Sequence, residues 1–463
     1  MEKGFYCISQ DVKIIKHDEQ YLLANPKIGT WVKISANLFD LIVSLSQKTS
    51  DSIGDLIHSM SGKFCVSEND IWDTVHRLEE MGLLIDKAKI RQEIPAGSRH
   101  IIFAVTNACN LKCSFCSNIR MSDSRHHDVR LPTEMGLKQI EHVARILALS
   151  KTPTGSITVS GGEPIMRGDL PEILCILKSM TKANIGLNTN GTLWTKEICK
   201  LIVRHVDAVT VSIDGSKPEV HDKIRGVGTF RKAIDCIKHL QDAGLGKIGI
   251  RAVICKQNID DIPNLMSLAK ELNCAFHANG LMKSGNAAEN SEIVCTEPHE
   301  NKNMRRMLLE RRLQEGCLAA EHIMWIFNYA RSRCQAIHRN LYIDADGSLY
   351  PCNKLATDEY GLGNLAMASD LESLIESSPI TALIDSYDID NKPGCRGCDV
   401  RYFCAGGCIA DDIAREKDGL TVDCDKESRD NLVNLLWNWR DDMTLEESLA
   451  LALDGPSLDL MND

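Results

Sequence analysis

The chain has 463 residues, enough for several domains, with 43% hydrophobic and 25% charged residues and a formal net charge of −11 at pH 7. So acidic a balance excludes nucleic acid as the main partner, because phosphate contacts need a basic face. No apolar run approaches the roughly 20 residues of a membrane span, and the segment from Met1 to Cys7 lacks the apolar stretch of a signal peptide, so a cytoplasmic location is expected.

Residues 1–92 read as a separate unit. Tyr6–Ile15, Gln20–Asn25 and Thr30–Ile34 have the pattern of short strands joined by polar turns, and helical patterns follow at Asn37–Ser46, Ser52–Met60 and Glu68–Met81. In the third helix Ser67 is placed to cap with Asp70 three positions on, Ile71, Val75, Leu78 and Met81 share one face, and Gly82 stops the run. Leu83 to Ile85 then leaves as an edge strand. Three strands followed by three helices resembles the winged-helix-like recognition element of ribosomal peptide modification systems, similar to the small carrier protein of pyrroloquinoline quinone biosynthesis. That resemblance implies a precursor peptide whose leader adds as a strand to the sheet edge. A DNA-binding winged helix or a stabilising appendage has the same outline.

Ala96-Gly97-Ser98 marks a linker, and residues 98–315 form the central unit. Strands are expected at Ile101–Val105, Ser156–Ser160, Asn184–Asn188, Ala208–Ile213, Lys247–Ile254 and Cys274–Ala278. Helices are expected at Thr133–Ala148, Asp169–Thr181, Thr195–His205, Thr229–Ala243 and Ile259–Leu272. Strict alternation implies an α/β fold with a parallel sheet and right-handed crossovers, here a partial (β/α)6 TIM-like barrel whose active face carries the loops after the strands.

The loop after the first strand reads Thr106-Asn107-Ala108-Cys109-Asn110-Leu111-Lys112-Cys113-Ser114-Phe115-Cys116. Nineteen cysteines in a reducing compartment point to metal rather than disulfides. Three of them spaced C-x3-C-x2-C can ligate three irons of one cubane and leave the fourth open. Unrelated thiols, or part of a zinc site, are the alternative. The loop closely resembles that of the radical S-adenosylmethionine (radical SAM) family. The resemblance implies a [4Fe–4S] cluster on Cys109, Cys113 and Cys116 whose open iron binds SAM and cleaves it to a 5′-deoxyadenosyl radical. It also implies SAM contacts at the following strand ends: Gly161-Gly162-Glu163-Pro164 for the amino group, Asn188 and Asn190 in the turn after the third strand, Ser212 and Asp214 after the fourth, and Arg225 for the ribose or carboxylate, with Arg251 in the fifth strand as a further candidate. Taken singly, Gly-Gly and Asn-Gly are ordinary turns. It is their order along successive strands that carries the resemblance.

Met304–Leu313 reads as a charged helix with a solvated face. From Cys334 a second cysteine series begins: Cys334, Cys352, Cys395, Cys398, Cys404, Cys408 and Cys424. Leu341–Ile343 and Ser348–Tyr350 around Asp346-Gly347 are expected to form a hairpin that brings the first two together. The series, over residues 316–426, matches the Cys-rich SPASM extension of some radical SAM enzymes, although C-x2-C pairs also suit a zinc ribbon. The resemblance implies two auxiliary [4Fe–4S] clusters, one on Cys395, Cys398, Cys404 and Cys424, the other on Cys334, Cys352 and Cys408 with either Cys317 or an open iron as the fourth position. Cys7, Cys65, Cys175, Cys199, Cys236, Cys255, Cys274 and Cys295 are expected in packing. Residues 427–463 read as a helical tail opening with an amphipathic helix at Asn431–Trp439.

Recognition element, radical SAM core and SPASM extension, in that order, resemble the maturases of ribosomally made peptides. The implied reaction takes hydrogen from a precursor peptide and installs a thioether or carbon–carbon cross-link, with an electron donor of the flavodoxin or ferredoxin type. Oxidation of a protein side chain, as in anaerobic sulfatase-maturing enzymes, and a zinc-stabilised peptide-binding regulator without turnover are the alternatives.

Overall fold

A computed structural model describes residues 6–47, 53–86, 97–117, 134–282, 284–295, 330–392, 394–417, 424, 426–439 and 447. The expected helix at Met304–Leu313, Cys317 and nearly all of the tail beyond Trp439 lie outside them. The chain divides into two compact units, one of Met1–Gly97 with Ala319–Cys334 and Asp385–Leu458, the other of Ser98–Leu318 with Gln335–Ile384 and Asp459–Asp463. Among the described residues no helix is long and apolar enough to cross a membrane.

The first unit opens with β1 (Tyr6–Ile8), β2 (Lys13–His17), β3 (Gln20–Asn25) and β4 (Thr30–Ser35), then α1 (Ala36–Gln47), α2 (Ile53–Phe64), α3 (Glu68–Glu80) and β5 (Leu84–Asp86). The single strand expected over Tyr6–Ile15 is two. Ser9 donates its N–H to Leu83 O and its carbonyl accepts from Val12 N, which turns the chain between β1 and β2. β1 therefore pairs antiparallel with β5, while β2, β3 and β4 form a separate antiparallel sheet. The capping expectation for α3 holds: Ser67 Oγ accepts from Asp70 N at 3.1 Å and donates to Asp70 Oδ2 at 2.6 Å. Gly82, at φ +65°, takes the left-handed turn that ends it. Leu23, Ile34, Leu45, Ile57, Val75 and Leu83 join these elements in one core.

The same unit holds a contact that sequence did not suggest. The β2–β4 sheet packs on the C-terminal segment, with Trp31 edge-on to Phe403 at 5.1 Å and His17 stacked on Trp437 at 4.5 Å. His17 Nδ1 and Trp437 Nε1 both reach Asp399 Oδ2, at 2.9 and 3.2 Å.

The second unit is built on a nine-stranded sheet. Six parallel strands run β6 (Arg99–Thr106), β7 (Thr154–Gly161), β8 (Asn184–Thr189), β9 (Ala208–Ser212), β10 (Ile248–Val253) and β11 (Ala275–Asn279), as the alternation predicts. Between them lie α4 (Leu137–Leu149), α5 (Leu170–Thr181), α6 (Lys196–Ile202), α7 (Pro218–Arg225), α8 (Thr229–Asp242) and α9 (Ile262–Glu271). Of these only α7 went unforeseen, being eight residues with polar residues on most positions. The expected hairpin is present as β12 (Asn340–Ile343) and β13 (Ser348–Tyr350), paired antiparallel. It does not stand apart from the barrel: β12 adds parallel to β6 on the side away from β7, and β14 (Gly363–Asn364) closes that edge.

Of the cysteines expected in packing, Cys199, Cys236 and Cys255 are buried, whereas Cys65 and Cys175 stand exposed. Cys65 follows the end of α2 at φ +55°, outside the helical face that an apolar pattern would bury.

Candidate active site

The cysteine loop leaves the C-terminal end of β6, and it is held at both ends. At its start, Thr106 Oγ1 donates to Glu134 Oε1 at 2.6 Å and the Asn107 N–H to the same oxygen at 3.1 Å. Asn107 Nδ2 also donates to Asp344 Oδ1 at 3.1 Å. At its far end, Asn286 Nδ2 donates to Cys113 O and Asn290 Nδ2 to Ser114 O, both at 3.0 Å, and the Asn286 N–H donates to Cys116 O at 2.9 Å. Residues 284–285 lead into a short helix at Asn286–Glu289 that braces the cysteines. Glu134, Asp344, Asn286 and Asn290 escaped sequence reading. Only the i, i+4 spacing of the two asparagines carried a signal.

The two glycines at the end of β7, Gly161 and Gly162, meet this loop rather than open space. Gly162 N–H donates to Thr106 O and Glu163 N–H to Ala108 O, both at 2.8 Å. A Cβ at Gly161 would lie 2.2 Å from Thr106 O, and one at Gly162 2.1 Å from Ala108 O. Only glycine allows backbone to approach backbone so closely. Glu163 is buried, and its carboxylate accepts from Asn190 N, Thr189 Oγ1 and Ile165 N at 2.7, 2.7 and 3.2 Å. Burial nonetheless pushes the carboxyl up to about 7. Pro164 is buried and starts a 3-10 turn. Asn190 Nδ2 donates to Asn110 Oδ1 at 2.9 Å, so the turn after β8 is tied to the cysteine loop as well.

After β9, Asp214 is fully buried. It accepts from Val253 N at 2.7 Å and pairs with Arg225 Nε. α7 exists to deliver that arginine: Pro218 opens the helix, and its last residue places the guanidinium between Asp214 and the cysteine loop. Arg225 Nη1 lies 3.9 Å from Cys113 Sγ, and its Cζ 5.5 Å from the Phe115 ring centre. Burial works against its charge, but Asp214 and then Cys113 hold it well above the usual range. His221 Nδ1 accepts from Asp214 N at 3.1 Å, and burial, followed by Arg225, pushes the imidazole down to about 4. Asn188 is half-buried beside Thr210, and Ser212 beside Arg251 in strand register. Arg251 Nε is buried with no hydrogen-bond partner among the described residues.

The later cysteines gather in part. Cys404 bears electrostatically on both Cys395 and Cys398, and Cys424 on Cys398, so these four share one neighbourhood in the first unit. Cys334 and Cys408 belong to that unit, whereas Cys352 follows β13 in the second. Among the described residues no three His, Cys, Asp or Glu side chains converge tightly enough for a single metal ion. Thiolates on a cubane occupy separate iron corners and need no such convergence.

Residues 103–269 match the model of the radical SAM superfamily, and residues 334–399 match that of the SPASM iron–sulfur cluster-binding domain. The chain carries a radical SAM domain and a SPASM domain. It is 25% identical to the mycofactocin maturase MftC of Mycolicibacterium smegmatis over 322 residues, 67% of this chain and 78% of that one. It is 34% identical to the Fe-coproporphyrin III synthase of Methanosarcina barkeri over 231 residues, 48% of this chain and 54% of that one. In fold it is similar to SuiB of Streptococcus suis bound to its precursor peptide SuiA, with a TM-score of 0.56, 16% identity and coverage of 90% and 99%. It is likewise similar to anSMEcpe with bound AdoMet, with a TM-score of 0.55, 18% identity and coverage of 67% and 90%.

A radical SAM domain works with a [4Fe–4S] cluster and SAM, and a SPASM domain binds further iron–sulfur clusters. The radical SAM loop fits that demand. Burial pushes the Cys109 thiol up to about 12 and raises Cys113 too, so either would need a bound cation to persist as a thiolate. The loop supplies three cysteines, one short of a full cubane set.

Proposed function

We propose that this radical SAM enzyme is a maturase of a ribosomally made peptide, installing a thioether or carbon–carbon cross-link. The names of the mycofactocin maturase and of SuiB with its precursor peptide favour a peptide substrate. The observation that carries the reading lies in the first unit. β2, β3 and β4 form a small antiparallel sheet of the kind to which a peptide strand adds. A groove of about 370 Å³ lies by the end of β4, lined by Ser35, Leu38 and Leu41 on one side and Val66, Ile71 and Thr74 on the other. Val66 is 41% exposed there and would offer an apolar contact to a bound peptide.

Cys109, Cys113 and Cys116 would hold the cubane that SAM joins, and the cysteines of the SPASM segment the auxiliary clusters. When bound, the cluster and SAM supply a 5′-deoxyadenosyl radical able to take hydrogen from an unactivated peptide C–H. The chain's own residues contribute rigidity. The glycine approach, the Glu163 clamp and the paired asparagines fix the loop from three sides, so a SAM molecule meets preset donors and acceptors. Asp214 keeps Arg225 charged and extended beside the loop, where a guanidinium suits a carboxylate.

The test is anaerobic incubation with SAM, reductant and a synthetic peptide translated from a short reading frame beside this one. The reading expects 5′-deoxyadenosine and a peptide lighter by two hydrogens. Replacing Cys109, Cys113 and Cys116 with Ala should abolish both, and persistent SAM cleavage would refute the site. Val66→Asp should weaken peptide affinity while peptide-free SAM cleavage survives; unchanged affinity removes the recognition role. Deleting residues 1–92 is a poorer test, since it strips Trp31 and His17 from Phe403 and Trp437.

A further inference from the structure

The hairpin that precedes Cys352 sits in the barrel sheet, and its turn touches the cysteine loop. β12 runs beside β6 with Ile343 opposite Phe103, so the next residue, Asp344, comes level with Ala104, two residues before β6 ends and the loop departs. Asp344 is 1% exposed and Asn107 7%, and the bond between them crosses 237 residues of sequence. Asp344 is itself fixed: its N–H donates to Ser348 O, its carbonyl accepts from Gly347 N, and Oδ1 accepts from Ala345 N at 2.8 Å. The same turn holds the opposite flank of the loop's base, because Ala345 O accepts from Met135 N beside Glu134. Glu134 in turn holds Thr106 and Asn107.

We infer that Asp344 is a positioning residue for the SAM-binding cluster: the auxiliary hairpin, through the Asp344–Asn107 hydrogen bond, fixes the start of the loop that carries Cys109. The inference rests on reading Cys109, Cys113 and Cys116 as the cluster's ligands. Asn107 lies two residues before Cys109, and the residue between them, Ala108, is bonded through its N–H to Thr106 Oγ1 and through its carbonyl to Glu163 N. Losing the Asp344 contact cuts the tie between the Asn107 side chain and the hairpin and slackens the segment that aims Cys109 relative to Cys113 and Cys116, which the asparagine brace holds from the other end. Residues that orient a metal's ligands in this way matter nearly as much as the ligands. The SPASM segment thereby acts on SAM binding through the protein frame, apart from any electron it handles.

The test uses the full chain, reconstituted anaerobically, with Asp344→Ala, Asp344→Asn and Asn107→Ala. Three readouts apply. One is the SAM-induced change in the electron paramagnetic resonance spectrum of the reduced enzyme, and another is the unfolding midpoint. The third separates the KM for SAM from the maximal rate at which the cleaved nucleoside is released. Asp344→Ala and Asn107→Ala should each raise KM for SAM about tenfold and broaden or shift the SAM-bound signal. Asp344→Asn keeps an oxygen acceptor and should stay within about twofold of wild type. The double variant should be no worse than either single one, because both remove the same bond. Should Asp344→Ala fail to fold, Asn107→Ala leaves the hairpin intact and carries the test alone. Unchanged spectrum and KM in Asn107→Ala, additive losses in the double variant, or an Asn variant as defective as the Ala variant would each overturn the proposal. A wrong ligand assignment shows separately, as SAM cleavage that survives loss of the three cysteines.

Discussion

The substitution Gly162→Ala tests how the loop is held, and its cost can be worked from the structure. A Cβ on residue 162 lies 2.1 Å from Ala108 O, 2.6 Å from Ala108 C and 3.0 Å from Asn107 O. All three are backbone atoms, so no side chain can swing aside. An ordinary carbon–oxygen contact is about 3.3 Å, so one backbone must retreat by roughly 1 Å. That retreat breaks the bonds from Gly162 N to Thr106 O and from Glu163 N to Ala108 O. Each is worth about 1 kcal/mol, and the residual overpacking adds about 1–3 kcal/mol, for a total of roughly 3–5 kcal/mol. Because Ala108 precedes Cys109, the displaced segment is the one that aims the first thiolate. Urea unfolding of the apo chain measures the stability loss, and iron per chain after anaerobic reconstitution measures the loop. A variant with wild-type midpoint and wild-type iron would refute the claim that these glycines exist for the loop's backbone.

Three further outcomes follow from buried charges and caps. Asp214→Asn keeps an acceptor for Val253 N but leaves the Arg225 guanidinium buried without its counter-ion, and should cost about 3–5 kcal/mol in urea unfolding; a loss below about 1 kcal/mol contradicts the pairing. His221 has its folded pKa lowered from 6.5 to about 4, so its neutral form contributes about 3 kcal/mol above pH 6.5, and that contribution fades as pH falls through about 4. In His221→Asn the acid limb of stability against pH should flatten over that window, and an unchanged slope counts against it. Lys33 Nζ donates to the carbonyls of Leu436, Trp437 and Trp439 at the end of the C-terminal helix Lys426–Asn438, so Lys33→Met should destabilise that end by about 1–2 kcal/mol. Red-shifted fluorescence from Trp437 reads the loosening, and an unshifted spectrum argues the cap is idle.

What could be read in the sequence is what short-range spacing encodes. The alternation from Ile101 to Ala278 gives six strands because each buried strand is a local apolar run, and Ser67 with Asp70 announces a helix start within four residues. The cysteine triad is equally local. The supports of the site are not, since Asn107 meets Asp344, and Cys113 meets Asn286, across chain distances with no period to betray them. α7 was invisible for another reason. Its few buried positions, His221 and Ile224, are too sparse to make an apolar stripe, and its helical form matters chiefly for where Arg225 ends up.

The Gly-Gly-Glu-Pro segment shows how the surroundings of a motif add a role that its residues alone do not announce. Adjacent glycines announce that something approaches closely, but sequence does not say what. Here the approaching atoms are Thr106 O and Ala108 O of the cysteine loop. The neighbouring glutamate, read as a cofactor contact, spends its carboxylate on Thr189, Asn190 and Ile165. The segment therefore works as a buckle between the loops after β6, β7 and β8. Glu163→Gln sharpens the point. Its amide oxygen can take the Asn190 N–H, but its NH2 then faces two groups that also want to donate, the Thr189 hydroxyl and the Ile165 N–H. The turn after β8 should loosen and carry Asn110 with it, so SAM affinity should fall even though no cofactor contact has been removed. A variant that loses SAM affinity while the Asn190 amide keeps its wild-type protection from hydrogen exchange would mean instead that the carboxylate touches the cofactor directly.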